Sequence, residues 1–285
     1  MDISKSQFEA VMGLAQKHNW LIRKYDALSN LLFDDCKSKE EQDLISELLN
    51  RFHYISQSEL NSLINELALE IVTTPNISPE NTIIAAMAAD SSPDSSQYLV
   101  QMIKVKLQEL DWSGVEIVNT FGAAFKTSKK GGFTKTNIVL VDEFVGSGQT
   151  VAGRCKEINA QFLPTGQSIN LIVKVIFSST VGINLLREKN IDFTYLMELK
   201  RGISDFDTPE AQERNLKLMS NLESQLSPVI GSHTLSKYSM GYGGTESLFG
   251  VETLNVPNSV FPIFWWPEYP SKKNRKTLLT RWLGD

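Results

Sequence analysis

The most informative segment of this chain is NIVLVDEFVGSGQTVAG, residues 137–153. Residues 138–141 form a continuous apolar run, which is typical of a parallel strand covered on both faces. Asp142 and Glu143 follow at the carboxyl end of this strand, where open α/β sheets bind ligands. The small residues 146–148 then lead into a predicted helix. The stretch therefore predicts a strand, a turn and a helix, with two carboxylates at the junction.

This junction has the donors and acceptors that a phosphorylated sugar needs. Backbone N–H groups of a glycine-rich turn and of a helix start can hold a phosphate group. The two carboxylates can accept hydrogen bonds from sugar hydroxyls or bind a metal ion. The predicted substrate-binding residues here are Val145, Gly146, Ser147, Gly148, Gln149 and Thr150.

Other glycine-rich motifs fit this stretch less well. A Walker loop needs a lysine after its last glycine, but Gln149 follows Gly148. A dinucleotide fingerprint needs a third glycine, and Val151 stands in its place. The remaining alternative is structural, with Asp142 and Glu143 serving only to cap a helix.

The segment VLVDEFVGSGQT, residues 139–150, resembles the signature of type I phosphoribosyltransferases. That signature has an apolar strand, two acidic residues, three variable positions, Thr or Ser, Gly, one variable position and Thr. The resemblance implies that Asp142 and Glu143 bind the ribose hydroxyls of phosphoribosyl pyrophosphate and hold Mg²⁺. It also implies that residues 146–150 wrap the 5-phosphate.

Four further apolar runs predict the other strands of the sheet. They lie at residues 83–88, 115–120, 169–177 and 193–199. Alternation of strand, turn and helix is the crossover unit of parallel sheets. We therefore expect an α/β fold with a parallel sheet flanked by helices, a helical extension at the amino end and an aromatic-rich hood at the carboxyl end. The predicted segments are 1–72 for the extension, 80–204 for the core, and 205–285 for a helix and hood that complete the core.

The turn after the first predicted strand, residues 89–96, is the expected pyrophosphate loop. Its candidate ligand-binding residues are Asp90, Ser91, Ser92 and Ser95. The acidic Asp90 and Asp94 depart from the basic or neutral residues usual in the family. A helix cap is the alternative role for Asp94.

Residues 121–136, reading FGAAFKTSKKGGFTKT, resemble the flexible catalytic loop of the family. Loops of this length within compact domains are usually lids or disordered segments. The expected catalytic residues on it are Lys126, Lys129 and Lys130, which would neutralise the leaving pyrophosphate. A solvated hairpin tip is the alternative.

The carboxyl-terminal region concentrates aromatic rings, including Phe261, Phe264, Trp265 and Trp266. Such rings can stack on an acceptor base, or they can form a core or an interface. A small basic patch follows, in which Arg275 and Arg281 are the arginines. This patch is a candidate surface for nucleic acid.

Composition limits the class of protein. The net charge of -5 argues against a generally basic surface that would coat nucleic acid. Two cysteines, Cys36 and Cys155, provide no disulfide framework and suit a reducing compartment. No apolar run is long enough for a membrane span, and the amino terminus is too polar for a secretory signal. We expect a cytoplasmic protein.

The helical front, the signature strand and the tail NVPNSVFPIFWWPE together look similar to phosphoribosyltransferase-like effectors of bacterial conflict systems, including some retrons. This looser resemblance implies a role in anti-phage defence. It also implies partner proteins or a reverse transcriptase and nucleic-acid complex, and we expect self-association as a homo-oligomer. Two functions follow: an enzyme that uses phosphoribosyl pyrophosphate or a related ribose-phosphate nucleotide, and a catalytically silent sensor of such a ligand.

Overall fold

The computed structural model of the chain describes residues 4–90 and 92–284. The chain forms two compact units. The sheet unit is Gln57–Glu198, and the terminal unit combines the residues up to Ser56 with those from Leu199 onward. No described helix combines the length and the apolarity that crossing a membrane requires.

The sheet unit contains the predicted α/β pattern. Its helices are α4 (Gln57–Val72), α5 (Ser95–Glu109), α6 (Phe121–Lys130), α7 (Gln149–Phe162) and α8 (Thr180–Glu188). Its strands are β2 (Thr82–Ala86), β3 (Glu116–Val118), β4 (Asn137–Val145), β5 (Asn170–Ser179) and β6 (Phe193–Leu199), the last ending at the unit boundary. All five predicted strands are therefore confirmed.

The five strands form one sheet in the order β3-β2-β4-β5-β6. Strand β4 pairs in parallel with β2 and with β5, so that Val139 lies opposite both Ile84 and Ile172. Residues 137–141 are all buried, as expected for a central strand covered on both faces. The strand order reverses between β2 and β4, and such a reversal leaves a crevice at the carboxyl ends of the strands.

Residues 121–130 of the segment expected to be a flexible lid form helix α6 instead, so that part of the prediction is wrong. Residues 131–136 lie in no helix or strand. Thr120 caps α6 by accepting a hydrogen bond from the Ala123 N–H. Phe121, Ala124 and Ser128 are buried at helical spacing, and Phe125 packs edge-on against Phe162 with ring centroids 5.0 Å apart. Packing of this apolar face fixes the segment, because buried helical faces are held by tertiary contacts rather than by propensity.

The division into units also differs from the predicted segments. Helix α4, assigned from sequence to the amino-terminal extension, belongs to the sheet unit. Glu70 on α4 forms an ion pair of 2.9 Å with the buried Lys174 on β5. Helix α4 also has an apolar stripe, in which Leu60, Leu67 and Ile71 are buried, and this face packs within the sheet unit.

The terminal unit joins the two ends of the chain. Its helices are α1 (Lys5–Lys17), α2 (Tyr25–Asn30), α3 (Lys39–Asn50) and α9 (Pro209–Ser224). Its strands are β1 (His53–Ile55), β7 (Val229–Ile230), β8 (His233–Thr234) and β9 (Phe249–Val251). Strand β1 pairs in parallel with β9, and Tyr54 lies opposite Gly250. The carboxyl-terminal segment therefore pairs with the amino-terminal part of the chain within the terminal unit.

The aromatic rings of the tail are core residues of the terminal unit. Phe261, Phe264, Trp265 and Trp266 are all buried, and the indole N–H of Trp265 donates to the Val260 carbonyl at 2.8 Å. Rings buried in this way do not offer a face to an acceptor base. The alternative interpretation of the cluster, a core, is the one that the structure supports.

The two arginines of the basic patch form contacts with other residues of the terminal unit. Arg275 is buried and pairs with the buried Asp35 at 2.7 Å. The Arg281 guanidinium donates to the Val256 carbonyl at 2.5 Å and lies 5.5 Å from the centre of the Trp265 ring. Both arginines therefore make contacts within the terminal unit.

One buried carboxylate makes the stability of the terminal unit dependent on pH. Burial raises the pKa of Glu223 to about 7 from its ordinary value of 4.5, although Ser239 and Met240 donate hydrogen bonds to it. Because the unfolded chain loses this proton first, the free energy of unfolding should fall as the pH rises from about 4.5 to about 7. The loss should be on the order of 3 kcal/mol.

We expect Glu223→Gln to remove this slope. Denaturant unfolding between pH 5 and pH 8 measures it, with Glu213→Gln on the exposed face of the same helix as the matched control. Equal slopes for the wild type and for Glu223→Gln would contradict the assignment.

Candidate functional site

The predicted phosphate-binding turn lies between β4 and α7. Residues 146–148 connect the strand to the helix, and Gly148 precedes α7 with φ of 76°. This left-handed conformation favours glycine. The first turn of α7 has N–H groups without an acceptor in the helix, and the positive end of the helix dipole lies there. A helix start of this kind can bind an anion.

The start of α8 holds this turn in place. The Ser179 hydroxyl donates to the Gly146 carbonyl at 2.6 Å and accepts from the Gly182 N–H at 3.0 Å. A Cβ atom on Gly182 would lie 2.4 Å from the Gly146 carbonyl oxygen. The start of α8 therefore touches the turn directly and leaves no room for a side chain.

Asp142 and Glu143 stand near the carboxyl end of β4, as predicted. The Glu143 N–H donates to the Asp142 carboxylate at 2.9 Å. Burial raises the pKa of Asp142 well above its ordinary value of 3.8, and the nearby Glu143 and Asp94 carboxylates raise it further. One carboxylate oxygen of Glu143, Oε2, is buried without a hydrogen-bond partner. Such clustering of uncompensated acidic groups is a mark of functional sites.

The loop after β2 is held by its own side chains. Asp90 accepts a hydrogen bond from the Ser92 N–H at 2.7 Å. Asp94 caps α5 by accepting from the Ser96 N–H at 2.8 Å, so the alternative role for this residue is present. Ser95 is the first residue of α5. The candidate Ser91 lies outside the described residues.

A cavity of about 260 Å³ lies where the strand order reverses. Asp90, Ser92 and Asp94 line it from the loop after β2, and Asp142, Thr150 and Arg154 line it from β4 and α7. The structure therefore brings together the two segments that the sequence assigned to the two ends of one ligand.

Several predicted site residues do not line this cavity. Lys126, Lys129 and Lys130 lie on α6 with exposed side chains and are absent from its described lining. The nearby Lys135 donates to the Pro79 carbonyl at 2.8 Å, at the amino end of β2, away from the crevice. Seven further predicted residues also lie outside the described lining of the cavity: Glu143, Val145, Gly146, Ser147, Gly148, Gln149 and Ser95.

Arg154 lines the cavity and was not among the site residues predicted from the sequence. It follows Thr150 by four positions on α7, so both side chains lie on one helix face. That spacing was the signal in the sequence, but a single arginine inside a helix does not stand out without the fold. No group of three His, Cys, Asp or Glu side chains among the described residues is arranged to hold a metal ion by itself.

Comparisons with known proteins agree with the signature. The family model PRTase-CE matches residues 28–281. A search of curated proteins finds no match.

Three solved structures show low similarity. Helicobacter pylori xanthine-guanine-hypoxanthine phosphoribosyltransferase is 16% identical, covering 52% of this chain and 85% of that chain, with a TM-score of 0.33. A hypothetical protein from Neisseria gonorrhoeae with bound ppGpp is 12% identical, covering 57% and 94%, with a TM-score of 0.34. Schistosoma mansoni hypoxanthine-guanine phosphoribosyltransferase in complex with IMP is 11% identical, covering 51% and 65%, with a TM-score of 0.33. TM-scores this low support no inference about ligand or mechanism.

Proposed function

We propose that this chain, which belongs to the PRTase-CE family, binds phosphoribosyl pyrophosphate or a related ribose-phosphate nucleotide and transfers the ribosyl group. The observation that carries the proposal is the cavity between the loop after β2 and the signature segment, at the reversal of strand order. In the proposed complex the 5-phosphate lies on residues 146–150. The ribose hydroxyls donate to Asp142 and Glu143.

The same carboxylates fit Mg²⁺. This ion usually keeps water ligands and is held by one or two carboxylates together with substrate phosphates. Asp142 lines the cavity, and Glu143 has a buried oxygen with no partner. Asp142 and Glu143 would therefore hold the ion, which would neutralise charge on the pyrophosphate.

The proposed reaction breaks the bond between ribose C1 and the pyrophosphate oxygen. The electron pair leaves with pyrophosphate, and an acceptor nucleophile forms the new bond to C1. Positive charge grows on the ribose ring during this step, and the two preplaced carboxylates stabilise it. Such preorganised electrostatic stabilisation is usually the largest catalytic contribution.

Release of pyrophosphate tests the proposal. We expect the wild type to bind phosphoribosyl pyrophosphate with Mg²⁺ in a calorimeter and to release pyrophosphate in a coupled assay. The double variant Asp142→Asn with Glu143→Gln should lose release by at least about 100-fold, the scale of removing electrostatic stabilisation. Glu188→Gln, an exposed change on α8, is the control. Loss of activity in the control, or full activity in the double variant, would contradict the assignment.

A second function is a catalytically silent sensor of the same ligand. The observation that favours it is the position of the three expected catalytic lysines on α6, outside the described lining of the cavity. A sensor would bind the ligand without releasing pyrophosphate. Binding without turnover in the experiment above would therefore select this function over the enzyme.

The biological setting that we propose is anti-phage defence, based on the resemblance of the helical front and the tail to defence effectors. Partner proteins, a reverse transcriptase with its nucleic acid, or further copies of the chain would then hold the activity in check. Phage plating on bacteria that express the chain with its neighbouring genes tests this role. Protection that disappears in the double variant would support it, and no protection by the wild type would contradict it.

A further inference from the structure

Arg154 is a cationic side chain set among acidic ones. The cavity is lined by the carboxylates of Asp90, Asp94 and Asp142, and Arg154 is the one cation in its described lining. A ligand with several phosphate groups would meet repulsion from these carboxylates. A positive charge at this place therefore bears directly on which ligand the cavity accepts.

The Arg154 guanidinium is held in a fixed position. Its central carbon lies 4.4 Å from the centre of the Phe121 ring, which is a stacking distance for a cation on an aromatic face. Phe121 is buried at the start of α6. A planar guanidinium fixed in this way loses less side-chain freedom when it forms hydrogen bonds.

The hydrogen-bonding capacity of Arg154 is not used within the described residues. Its Nε is buried without a hydrogen-bond partner. Its closest carboxylate, that of Glu157, is 3.8 Å from Nη1, which is too long for a hydrogen bond. Buried N–H donors are normally satisfied, so an unsatisfied one beside a cavity points to a missing acceptor.

The position of Arg154 indicates which end of the ligand it meets. It lies one helical turn beyond Thr150, away from the start of α7 where the 5-phosphate is placed. It also acts on the loop after β2, because the pKa of Asp90 is lowered first by hydrogen bonds from Ser92 and further by the Arg154 charge. The second phosphorylated end of the ligand would lie beside this loop.

We propose that Arg154 binds the diphosphate end of the ribosyl ligand and selects a ligand with phosphates at both ends over one with the 5-phosphate alone. This inference rests on the proposed function. In this proposal Arg154 on α7 neutralises the negative charge of the diphosphate, a role that the sequence had suggested for the lysines of α6. Arginine suits this role because its planar fork can donate two parallel hydrogen bonds to one phosphate.

The test compares two ligands by calorimetry in the presence of Mg²⁺: phosphoribosyl pyrophosphate and ribose 5-phosphate. For Arg154→Gln we expect affinity for phosphoribosyl pyrophosphate to fall about 10- to 100-fold, as for a lost hydrogen bond to a charged group. Affinity for ribose 5-phosphate should change by less than about 3-fold, the scale of a surface charge effect. Arg154→Lys keeps the charge without the fork and should give an intermediate loss.

Lys156→Gln is the matched control, because it removes one exposed cation from the same helix without touching this cavity. It should bind both ligands as the wild type does. Equal losses for the two ligands in Arg154→Gln, or no loss for either, would overturn the role of Arg154. A wild type that binds neither ligand would instead overturn the proposed function, so the two failures are distinguishable. Thermal unfolding of each variant confirms that it is folded.

Discussion

Asp142→Asn is expected to make the chain more stable at neutral pH while removing most of its ligand affinity. Burial and two neighbouring carboxylates raise the pKa of Asp142 well above its ordinary value of 3.8, so its ionised form is disfavoured in the folded state. Asparagine keeps the shape and carries no charge. We expect a gain of about 0.5–2 kcal/mol, the usual scale of stabilising replacements, and at least about a 10-fold loss of affinity for the ribosyl ligand, as for a charged hydrogen bond.

The sign of the pH dependence makes this prediction specific. Below the ordinary pKa of 3.8 the Asp142 carboxyl group is protonated in both the folded and the unfolded chain, so its raised pKa does not lower the free energy of unfolding. As the pH rises toward the pKa of the folded state, the unfolded chain loses this proton first and the free energy of unfolding falls. The advantage of Asp142→Asn should therefore be small near pH 4 and larger near pH 7.5. Denaturant unfolding at both pH values measures it, with the exposed Asp192→Asn as control. An Asp142→Asn variant that is less stable than the wild type at pH 7.5 would contradict the account.

Gly182→Ala is expected to damage both stability and binding, because a single methyl group would collide with the turn at residues 146–148, where the 5-phosphate is proposed to bind. The added Cβ would lie 2.4 Å from the Gly146 carbonyl oxygen and 2.9 Å from a methyl carbon of Val145. Backbone atoms cannot move aside without displacing the turn. We expect a loss of about 1–3 kcal/mol in the free energy of unfolding, typical of overpacking, together with loss of ligand binding.

Gly153→Ala is the matched control for this change. Gly153 lies in the middle of α7, and a Cβ atom there would have no neighbour within 4 Å. Alanine in a helix interior is more favourable than glycine by about 0.5–1 kcal/mol. The two variants should therefore shift thermal unfolding in opposite directions, and only Gly182→Ala should lose affinity. The same shift in both variants would show that α8 does not hold the turn.

The central strands and the signature were predictable because their signals are local. The apolar run at residues 138–141 needs burial on both faces whatever surrounds it. The small residues after it permit one kind of connection, a tight turn into a helix. Asp142 and Thr150 could be placed at the same crevice from sequence, since the carboxyl end of a strand and the start of the next helix adjoin.

The lid and the tail were not predictable in the same way. Lys126, Lys129 and Lys130 suggested a lid over the ligand, but the buried Phe121 and Ala124 on the opposite face fix a helix. The tail rings gave no sign of which partner they pack against, since contacts between the two ends of a chain leave no local pattern. Arg154 could be recognised as a candidate ligand-binding residue only from the fold, which places it beside the loop after β2.

A crystal structure of the chain with phosphoribosyl pyrophosphate and Mg²⁺ would show where the ribosyl ligand binds. We expect the 5-phosphate on the N–H groups of residues 146–150, ribose hydroxyls within hydrogen-bonding distance of Asp142 or Glu143, and the diphosphate beside Arg154. Ligand density elsewhere in the molecule, with side chains filling the cavity between the loop after β2 and α7, would contradict it.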